Sequence, residues 1–352
     1  MTDLLELTAE LVDIPSVSQN ERAIADHLEA WLRKAPWLQV DRIGDNVVAR
    51  TSRGRAMRLI VAGHTDTVPV NENARARIQG DTLWGLGSSD MKSGLAVMLD
   101  VATSVEEPAV DVTWVFYVAE EVAAEHNGLR HLFRDAPRLL AGDAAILGEP
   151  TGGAIEAGCQ GTLRAEVTML GERAHTARPW MGRNAIHRLG KVLRRLEGYQ
   201  ERRPVLDGCE FREAVQAVAV TGGVAGNVVP DVASVTVNHR FAPDRTPAEA
   251  EASLREVVGD VDRFELLDVA DGAAPGLDHP LLRALIERNR LEVRAKLGWT
   301  DVARFAAQGM PAVNFGPGDP TLAHTRDERV ERAALDATAA ALRDLVVRGA
   351  SP

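Results

Sequence analysis

Aromatic residues are scarce, at 4% of the 352 residues, so any core must be built from aliphatic side chains. There are only two cysteines, Cys159 and Cys209, which excludes a disulfide framework and a thiolate zinc site. Their scarcity fits a reducing compartment. No uninterrupted apolar run approaches membrane-spanning length. The first residues lack the basic segment and apolar run of a signal peptide. We therefore expect a soluble, cytoplasmic protein with no membrane partner.

Positive charge is also in short supply. The formal net charge is −11, and such a balance argues against nucleic acid as a partner because the phosphate backbone attracts basic surfaces. By contrast, 45% of the residues are hydrophobic. At this length the chain can bury a large core, and two domains are expected.

Strand and helix patterns alternate over residues 1–160, which predicts an α/β domain around a mostly parallel sheet. We expect strands near 38–43, 46–51, 57–62, 76–84, 110–119 and 144–147. A capping-box pattern, Ser18-Gln19-Asn20-Glu21, predicts the start of the second helix. After residue 160 the order becomes β-α-β-β-α-β, typical of a ferredoxin-like α+β domain. We therefore predict a discontinuous catalytic domain, 1–160 and 274–352, interrupted by a lid domain, 161–273.

Acidic and imidazole side chains follow several predicted strands. In α/β sheets, active sites lie beyond the carboxyl ends of the strands. Six such groups at neighbouring ends would repel one another strongly unless a cation lay among them. These groups are His64, Asp66, Asp90, Glu120, Glu121 and Glu149.

Each signal alone has a simpler interpretation. His64 and Asp66 could belong to a polar surface loop, and Glu120-Glu121 could be a solvated acidic pair. Together they favour a metal site, because zinc accepts imidazole and carboxylate ligands and Asp66 could hold the second ring nitrogen of His64. Adjacent side chains on extended backbone diverge. One glutamate of the pair could therefore bind metal while the other transfers a proton.

Seven segments occur in order: GHTDTV (63–68), GSSDMKSG (87–94), AEEV (119–122), GEP (148–150), RAHTARPWMGRNA (173–185), GGVAGNVVPD (222–231) and AHTRDE (323–328). Together they resemble the dinuclear zinc metallopeptidase family that includes desuccinylases, acetylornithine deacetylases and aminoacylases. The resemblance covers residues 5 to 345. It implies a zinc-peptidase-like catalytic domain with an inserted lid and dimerisation domain.

The resemblance also implies roles for individual residues, with two divalent metal ions as cofactors. Zinc is the expected metal, and cobalt is possible. It implies a cis peptide bond between Asp90 and Met91. From the residues alone, His324 could equally be a loop histidine. The implied roles are His64 and Glu149 on one ion, Glu121 and His324 on the other, Asp90 bridging, Asp66 orienting His64, and Glu120 as general base.

In the lid, the resemblance implies that His175 helps to stabilise an oxyanion in the neighbouring subunit, and that Asn227 has a similar duty. A homodimer through the lid domain follows from this. Arg240 would grip a substrate carboxylate, a task suited to guanidinium. Arg164 and Arg178 are further candidates, although ordinary surface charge is the better explanation for each of them taken individually.

Within the family, residues 173–187 and 296–328 are most similar to the desuccinylase members. The expected reaction is hydrolysis of N-succinyl-LL-2,6-diaminopimelate to succinate and LL-2,6-diaminopimelate. The alternatives are acetylornithine deacetylase or dipeptidase activity, and a non-catalytic homologue that binds amino-acid derivatives. Leu86 and Ala119 depart from the family pattern, where arginine and aspartate are common.

Overall fold

A computed structural model describes residues 2–351 of the chain. Two compact units are formed, one by residues 1–157, 275–294 and 304–352 and the other by residues 158–274 and 295–303. The domain boundaries inferred from the sequence stay a prediction. The helices are α1 (Leu4–Val12), α2 (Arg22–Leu32), α3 (Lys92–Ser104), α4 (Gly128–Asp135), α5 (Ala185–Glu197), α6 (Pro247–Val258), α7 (Pro280–Asn289), α8 (Val302–Ala306) and α9 (Arg332–Arg348). The strands are β1 (Gln39–Ile43), β2 (Asn46–Arg50), β3 (Arg58–His64), β4 (Arg77–Gln79), β5 (Thr82–Trp84), β6 (Asp111–Tyr117), β7 (Ala144–Leu147), β8 (Ile155–Ala157), β9 (Gly161–Leu170), β10 (Val205–Leu206), β11 (Cys209–Glu210), β12 (Ala214–Gly222), β13 (Val232–Phe241), β14 (Arg263–Ala270), β15 (Val293–Ala295), β16 (Ala312–Asn314) and β17 (Arg329–Glu331).

The first unit is built on an eight-stranded sheet in the order β1-β2-β6-β3-β7-β16-β8-β15. Its four middle strands, β6, β3, β7 and β16, run parallel. The pairs β1-β2, β2-β6 and β16-β8 are antiparallel. The middle strands are buried almost throughout, which explains their unbroken apolar sequences. The predicted α/β class is confirmed.

Two local predictions in this unit are wrong. Residues 76–84 form a hairpin of β4 and β5 rather than one strand, because Gly80 adopts a positive φ of 60° that allows a tight turn. Helix α2 begins at Arg22 without a side-chain cap. The Ser18 hydroxyl instead donates to Asp66, and the Glu21 carboxylate accepts the N–H of Ala119 as well as that of Gln19.

The second unit has the predicted ferredoxin-like topology. Its sheet runs in the order β12-β13-β9-β14, with every pair antiparallel. Helices α5 and α6 cover one face, where their buried side chains pack on those of the sheet. Thr246 and Glu249 form a capping box at the start of α6, and Pro247 occupies its first turn, a favoured position. On the other face, strands β9 and β13 carry polar side chains, among them Thr162, Arg164, Asn238 and Arg240.

Among residues 2–351, no helix is both long enough and apolar enough to cross a membrane.

Candidate metal centre

The ends of the parallel strands bring the predicted side chains to one edge of the sheet. His64 is the last residue of β3 and lies opposite Tyr117, the last residue of β6. Ala62 lies opposite Leu147, the last residue of β7. The turns that follow these strands carry Asp66, Glu120 with Glu121, and Glu149 respectively. Because these strands are parallel, groups that are far apart in the sequence lie close together at the carboxyl edge of the sheet.

Three of the predicted ligands form one cluster. The ligand atoms of His64, Asp90 and Glu121 all lie within 4.8 Å of one another. His64 Nε2 is 3.0 Å from Asp90 Oδ1. His324 Nε2 adds a second imidazole, 2.8 Å from Glu121 Oε1 and 3.5 Å from Asp90 Oδ2. Asp90 thus has one carboxylate oxygen facing each imidazole.

Hydrogen bonding at His64 indicates that this cluster needs a cation. His64 Nδ1 lies 3.1 Å from the carbonyl oxygen of Asp66, and a carbonyl can only accept, so Nδ1 carries the proton. In the neutral ring Nε2 then presents a lone pair to the carboxylate of Asp90. Two acceptors 3.0 Å apart require a proton or a metal ion between them. This tautomer, with Nδ1 held by a backbone carbonyl, is the one typical of a metal-binding histidine.

The pKa shifts agree with this requirement. Burial would lower the pKa of His64, but hydrogen bonds with Asp66 and Asp90 raise it well above its usual value. The hydrogen bond to Asp90, supported by Glu121, raises the pKa of His324 to about 9. Burial would raise the pKa of Asp90, but the two histidines hold it below its usual range. The residues present therefore fit divalent metal, which can replace the protons that the imidazoles otherwise take up.

Asp90 lies in the turn between β5 and α3, and its peptide bond to Met91 is cis, as predicted. His324 adopts a positive φ of 62° on the loop before β17. Glu149 is buried, and its negative charge helps to raise the pKa of His64. Glu120 is half-buried beside Glu121.

Asp66 has closer partners than the one predicted for it. Its carboxylate lies 3.5 Å from His64 Nδ1, but it accepts the backbone N–H groups of Glu120 and Glu121 at 3.0 and 3.1 Å. The Ser18 hydroxyl donates to it at 2.8 Å. Asp66 is fully buried, and it fixes the turn that presents both glutamates.

Glu21 holds the same turn one residue earlier. This buried side chain accepts the N–H of Ala119 at 3.1 Å, where the backbone adopts a positive φ of 59°. Burial raises the pKa of the Glu21 carboxyl. Neither Ser18 nor Glu21 was predicted as a site residue. Their partners are 48 and 98 residues away, so no local pattern could reveal them.

In the second unit, two predicted residues lie on paired loops. The loop of His175 pairs with the loop of Asn227 through a bridge to Val228, and the N–H of Thr176 donates to the carbonyl of Asn227 at 3.0 Å. Both side chains are exposed. His175 Nδ1 accepts the N–H of Ala177 at 3.0 Å, so the neutral ring keeps its proton on Nε2. That nitrogen can donate to an oxyanion.

Two predicted arginines share the polar face of the second sheet. Arg240 on β13 lies opposite Thr162, and Arg164 on β9 lies opposite Asn238, so the arginines are diagonal neighbours. Arg240 is half-buried, and among residues 2–351 its guanidinium has no hydrogen bond or acidic partner; burial lowers its pKa. Arg178 lies exposed on the His175 loop.

Comparison with known proteins identifies the class. Residues 60–348 match Peptidase family M20/M25/M40, and the chain belongs to this family. A tripeptidase from Staphylococcus aureus shares the fold, with a TM-score of 0.79 over 98% of this chain and 97% of that chain at 21% sequence identity. The family resemblance predicted from the seven segments is confirmed.

Two relatives have a higher sequence identity to the chain. The Mycobacterium tuberculosis protein DapE, whose name as a succinyl-diaminopimelate desuccinylase is provisional, is 54% identical over 330 residues, 93% of both chains. A succinyl-diaminopimelate desuccinylase from Corynebacterium glutamicum is 47% identical over 338 residues, 93% of this chain and 91% of that one.

Proposed function

We propose that the chain is a metal-dependent amide hydrolase that removes succinate from N-succinyl-LL-2,6-diaminopimelate. Water adds across the amide, giving succinate and LL-2,6-diaminopimelate. The observation that carries the proposal is the cluster of His64, Asp90 and Glu121 at the strand ends. The choice of substrate is supported by the names of relatives that cover more than nine-tenths of the chain.

The proposed cofactor is a pair of divalent ions, with zinc preferred and cobalt possible. In this proposal His64 and Glu149 would hold one ion, Glu121 and His324 would hold the other, and Asp90 would be shared between them. The donor chemistry supports this, since imidazole and carboxylate are ordinary zinc ligands. When bound, the ions would supply Lewis acidity to the amide carbonyl and a lowered pKa to water.

Glu120 is the proposed general base. Its neighbour Glu121 faces His324 at 2.8 Å and is a proposed metal ligand, so proton transfer is assigned to Glu120. It takes a proton from the attacking water and delivers it to the leaving amine nitrogen. Asp66 keeps the backbone of both glutamates in place and, through the Asp66 carbonyl, keeps His64 in the required tautomer.

Arg240 is the proposed partner of a substrate carboxylate. A half-buried guanidinium without an acidic partner among residues 2–351 is unfavourable by itself, and an incoming carboxylate compensates for it. Arg164, on the same face of the sheet, and Arg178 are the further substrate-binding candidates. The substrate carries several carboxylates, which accounts for several arginines in an otherwise acidic protein.

The second unit is the proposed lid and dimerisation domain, and the active protein is a homodimer. Strand β12 lies at the edge of its sheet and exposes Val218 and Val220. An unpaired, apolar edge is a template for strand pairing, here with a second copy of the chain. Because β12 runs directly into the loop of Asn227, this pairing would carry Asn227 and His175 towards the partner, where His175 Nε2 would donate to the oxyanion.

A cytoplasmic location is part of the proposal. Both cysteines are buried and free of disulfide bonds, which fits a reducing compartment.

The test is a steady-state assay of the zinc-loaded protein on succinyl-diaminopimelate and on N-acetylornithine. We expect succinyl-diaminopimelate to be preferred by at least about 100-fold in kcat/KM, because a site with built polar contacts rejects analogues that lack them. Preference for acetylornithine would contradict the substrate assignment. In a second arm, Glu120→Gln should lower kcat by about 10²–10⁴-fold with zinc still bound. Glu125→Gln, an exposed glutamate on the same loop, is the matched control and should keep full activity.

A further inference from the structure

A buried carboxylate that no part of the proposed mechanism uses lies beneath the turn of Asp90. Glu328 is 1% exposed and follows His324 by four residues. One of its oxygens accepts the N–H groups of Ser89 and Asp90, both at 2.9 Å. The other accepts the N–H of Gly87 at 3.0 Å. Three backbone donors of a single turn thus converge on one side chain.

The main chain of Glu328 binds the same turn. Its carbonyl oxygen accepts the N–H of Gly85 at 3.1 Å. Residues 85–90 are therefore tied to residue 328 by four hydrogen bonds, and one of them comes from the amide of Asp90 itself. A buried N–H group without an acceptor costs about 1–3 kcal/mol. The turn is therefore most stable in the position where its N–H groups bond to Glu328.

We propose that Glu328 is a positioning residue that sets where the Asp90 carboxylate stands between His64 and His324. It acts through the backbone and contacts neither substrate nor the proposed ions. Asp90 faces both imidazoles, at 3.0 and 3.5 Å, so a small displacement of its turn changes both contacts together. The inference rests on the proposed function, since Asp90 acts as a ligand only if the metal centre forms.

The similarity to Asp66 supports a positioning role for Glu328. Asp66 holds the backbone of Glu120 and Glu121, and Glu328 holds the backbone of Asp90 in the same way. Two ligand-bearing turns, built from separate parts of the sequence, are each fixed by a buried carboxylate that accepts several of their backbone N–H groups. Partners of this kind, one shell beyond the ligands, commonly change metal affinity by about 10–100-fold when they are replaced.

The test uses Glu328→Gln in the full chain, with Glu331→Gln as the matched control. Glu331 lies three residues further on, exposed, and its carboxylate accepts the Thr82 hydroxyl. The glutamine keeps the size of the side chain, but its NH₂ group must face one of the three N–H donors. We expect zinc affinity, measured calorimetrically against a competing chelator, to fall by about 10–100-fold, with no change in the control.

A second readout requires neither metal nor substrate. In the metal-free protein, hydrogen exchange of residues 85–91 should become faster in Glu328→Gln by at least about tenfold, while exchange elsewhere stays unchanged, because only local opening is made easier. Wild-type zinc affinity in the folded variant would overturn the proposal. So would faster exchange throughout the chain, which would show that Glu328 only stabilises the fold.

If the glutamine variant does not fold, Glu328→Asp replaces it. Aspartate keeps the charge but is one methylene shorter, so it cannot reach all three donors, and at least about a tenfold loss of zinc affinity is expected. Unchanged affinity in this variant would equally overturn the proposal. If the wild-type protein binds no zinc at all, the proposed function is contradicted. This result differs from failure of the positioning role, in which the wild type and the variant bind zinc equally well.

Discussion

Replacement of Asp66 by asparagine separates the two duties that the structure gives this residue. The carbonyl oxygen that faces His64 Nδ1 at 3.1 Å is untouched by the change. The carboxylate that accepts from Ser18, Glu120 and Glu121 becomes an amide with one accepting oxygen. At least one of the donors, the backbone N–H groups of Glu120 and Glu121 and the Ser18 hydroxyl, must then face the NH₂ group of the asparagine in a fully buried environment. Asp66→Asn should therefore disturb the glutamates more than the imidazole.

The magnitude follows from the hydrogen bonds that are lost. A hydrogen bond to a charged group contributes about 1.5–3 kcal/mol, and one or two such bonds are lost or weakened. We take the loss as about 2–4 kcal/mol, which corresponds to roughly 30- to 1,000-fold in rate. The loss should appear in kcat, because Glu120 acts in the chemical step, whereas KM should change little.

The assay is steady-state hydrolysis of succinyl-diaminopimelate by the zinc-loaded variant, with Asp41→Asn on the edge strand β1 as the control. Asp41 pairs with Arg50 at the protein surface, and its replacement should leave kcat unchanged. An Asp66→Asn variant with wild-type kcat would refute the assignment of Asp66 as the residue that holds the glutamate turn.

Other predictions concern the second unit. Arg240→Gln should raise KM for the succinylated substrate by about 10- to 100-fold, because it removes a hydrogen bond between charged groups. An unchanged KM would show that Arg240 does not bind the substrate. His239 is buried, and burial lowers its pKa to about 4. As the pH falls, the unfolded chain binds a proton near pH 6.5, whereas the folded chain does so only near pH 4. The free energy of unfolding therefore falls as the pH drops from about 6.5 to about 4, by roughly 3 kcal/mol in all. His239→Phe should flatten this dependence in thermal melts, and an unaltered pH profile would contradict the assignment. If the proposed homodimer forms through β12, Val218→Lys with Val220→Lys should give a monomer in light scattering, since lysines on an edge strand oppose pairing. A variant that stays dimeric would exclude β12 as the interface.

The fold class and the grouping of the candidate ligands could be predicted from the sequence for one physical reason. Parallel strands end at one edge of a sheet, so side chains at or just after their ends, such as His64, Glu121 and Glu149, can be assigned to one place without knowledge of strand order. The β-α-β-β-α-β order of the second unit could also be predicted, because the spacing of hydrophobic residues in each segment distinguishes a helix from a strand.

The residues that hold the site could not be predicted in this way. Ser18 and Glu21 satisfy the local pattern of a helix cap, yet both bind groups on other elements, and tertiary contacts override the local preference. Glu328 looks like one more acidic residue of a polar loop, and its three partners lie about 240 residues earlier. Residues 76–84 read as a single strand because the turn at Gly80 is only two residues long.

The proposed function requires that side chains distant in the sequence surround a pair of divalent ions. This is tested directly by anomalous diffraction at the zinc edge from crystals of the zinc-loaded protein. We expect two strong peaks enclosed by His64, Asp90, Glu121, Glu149 and His324, with Asp90 in contact with both. Crystals that show no peak at this cluster, or zinc bound elsewhere on the chain, would contradict it.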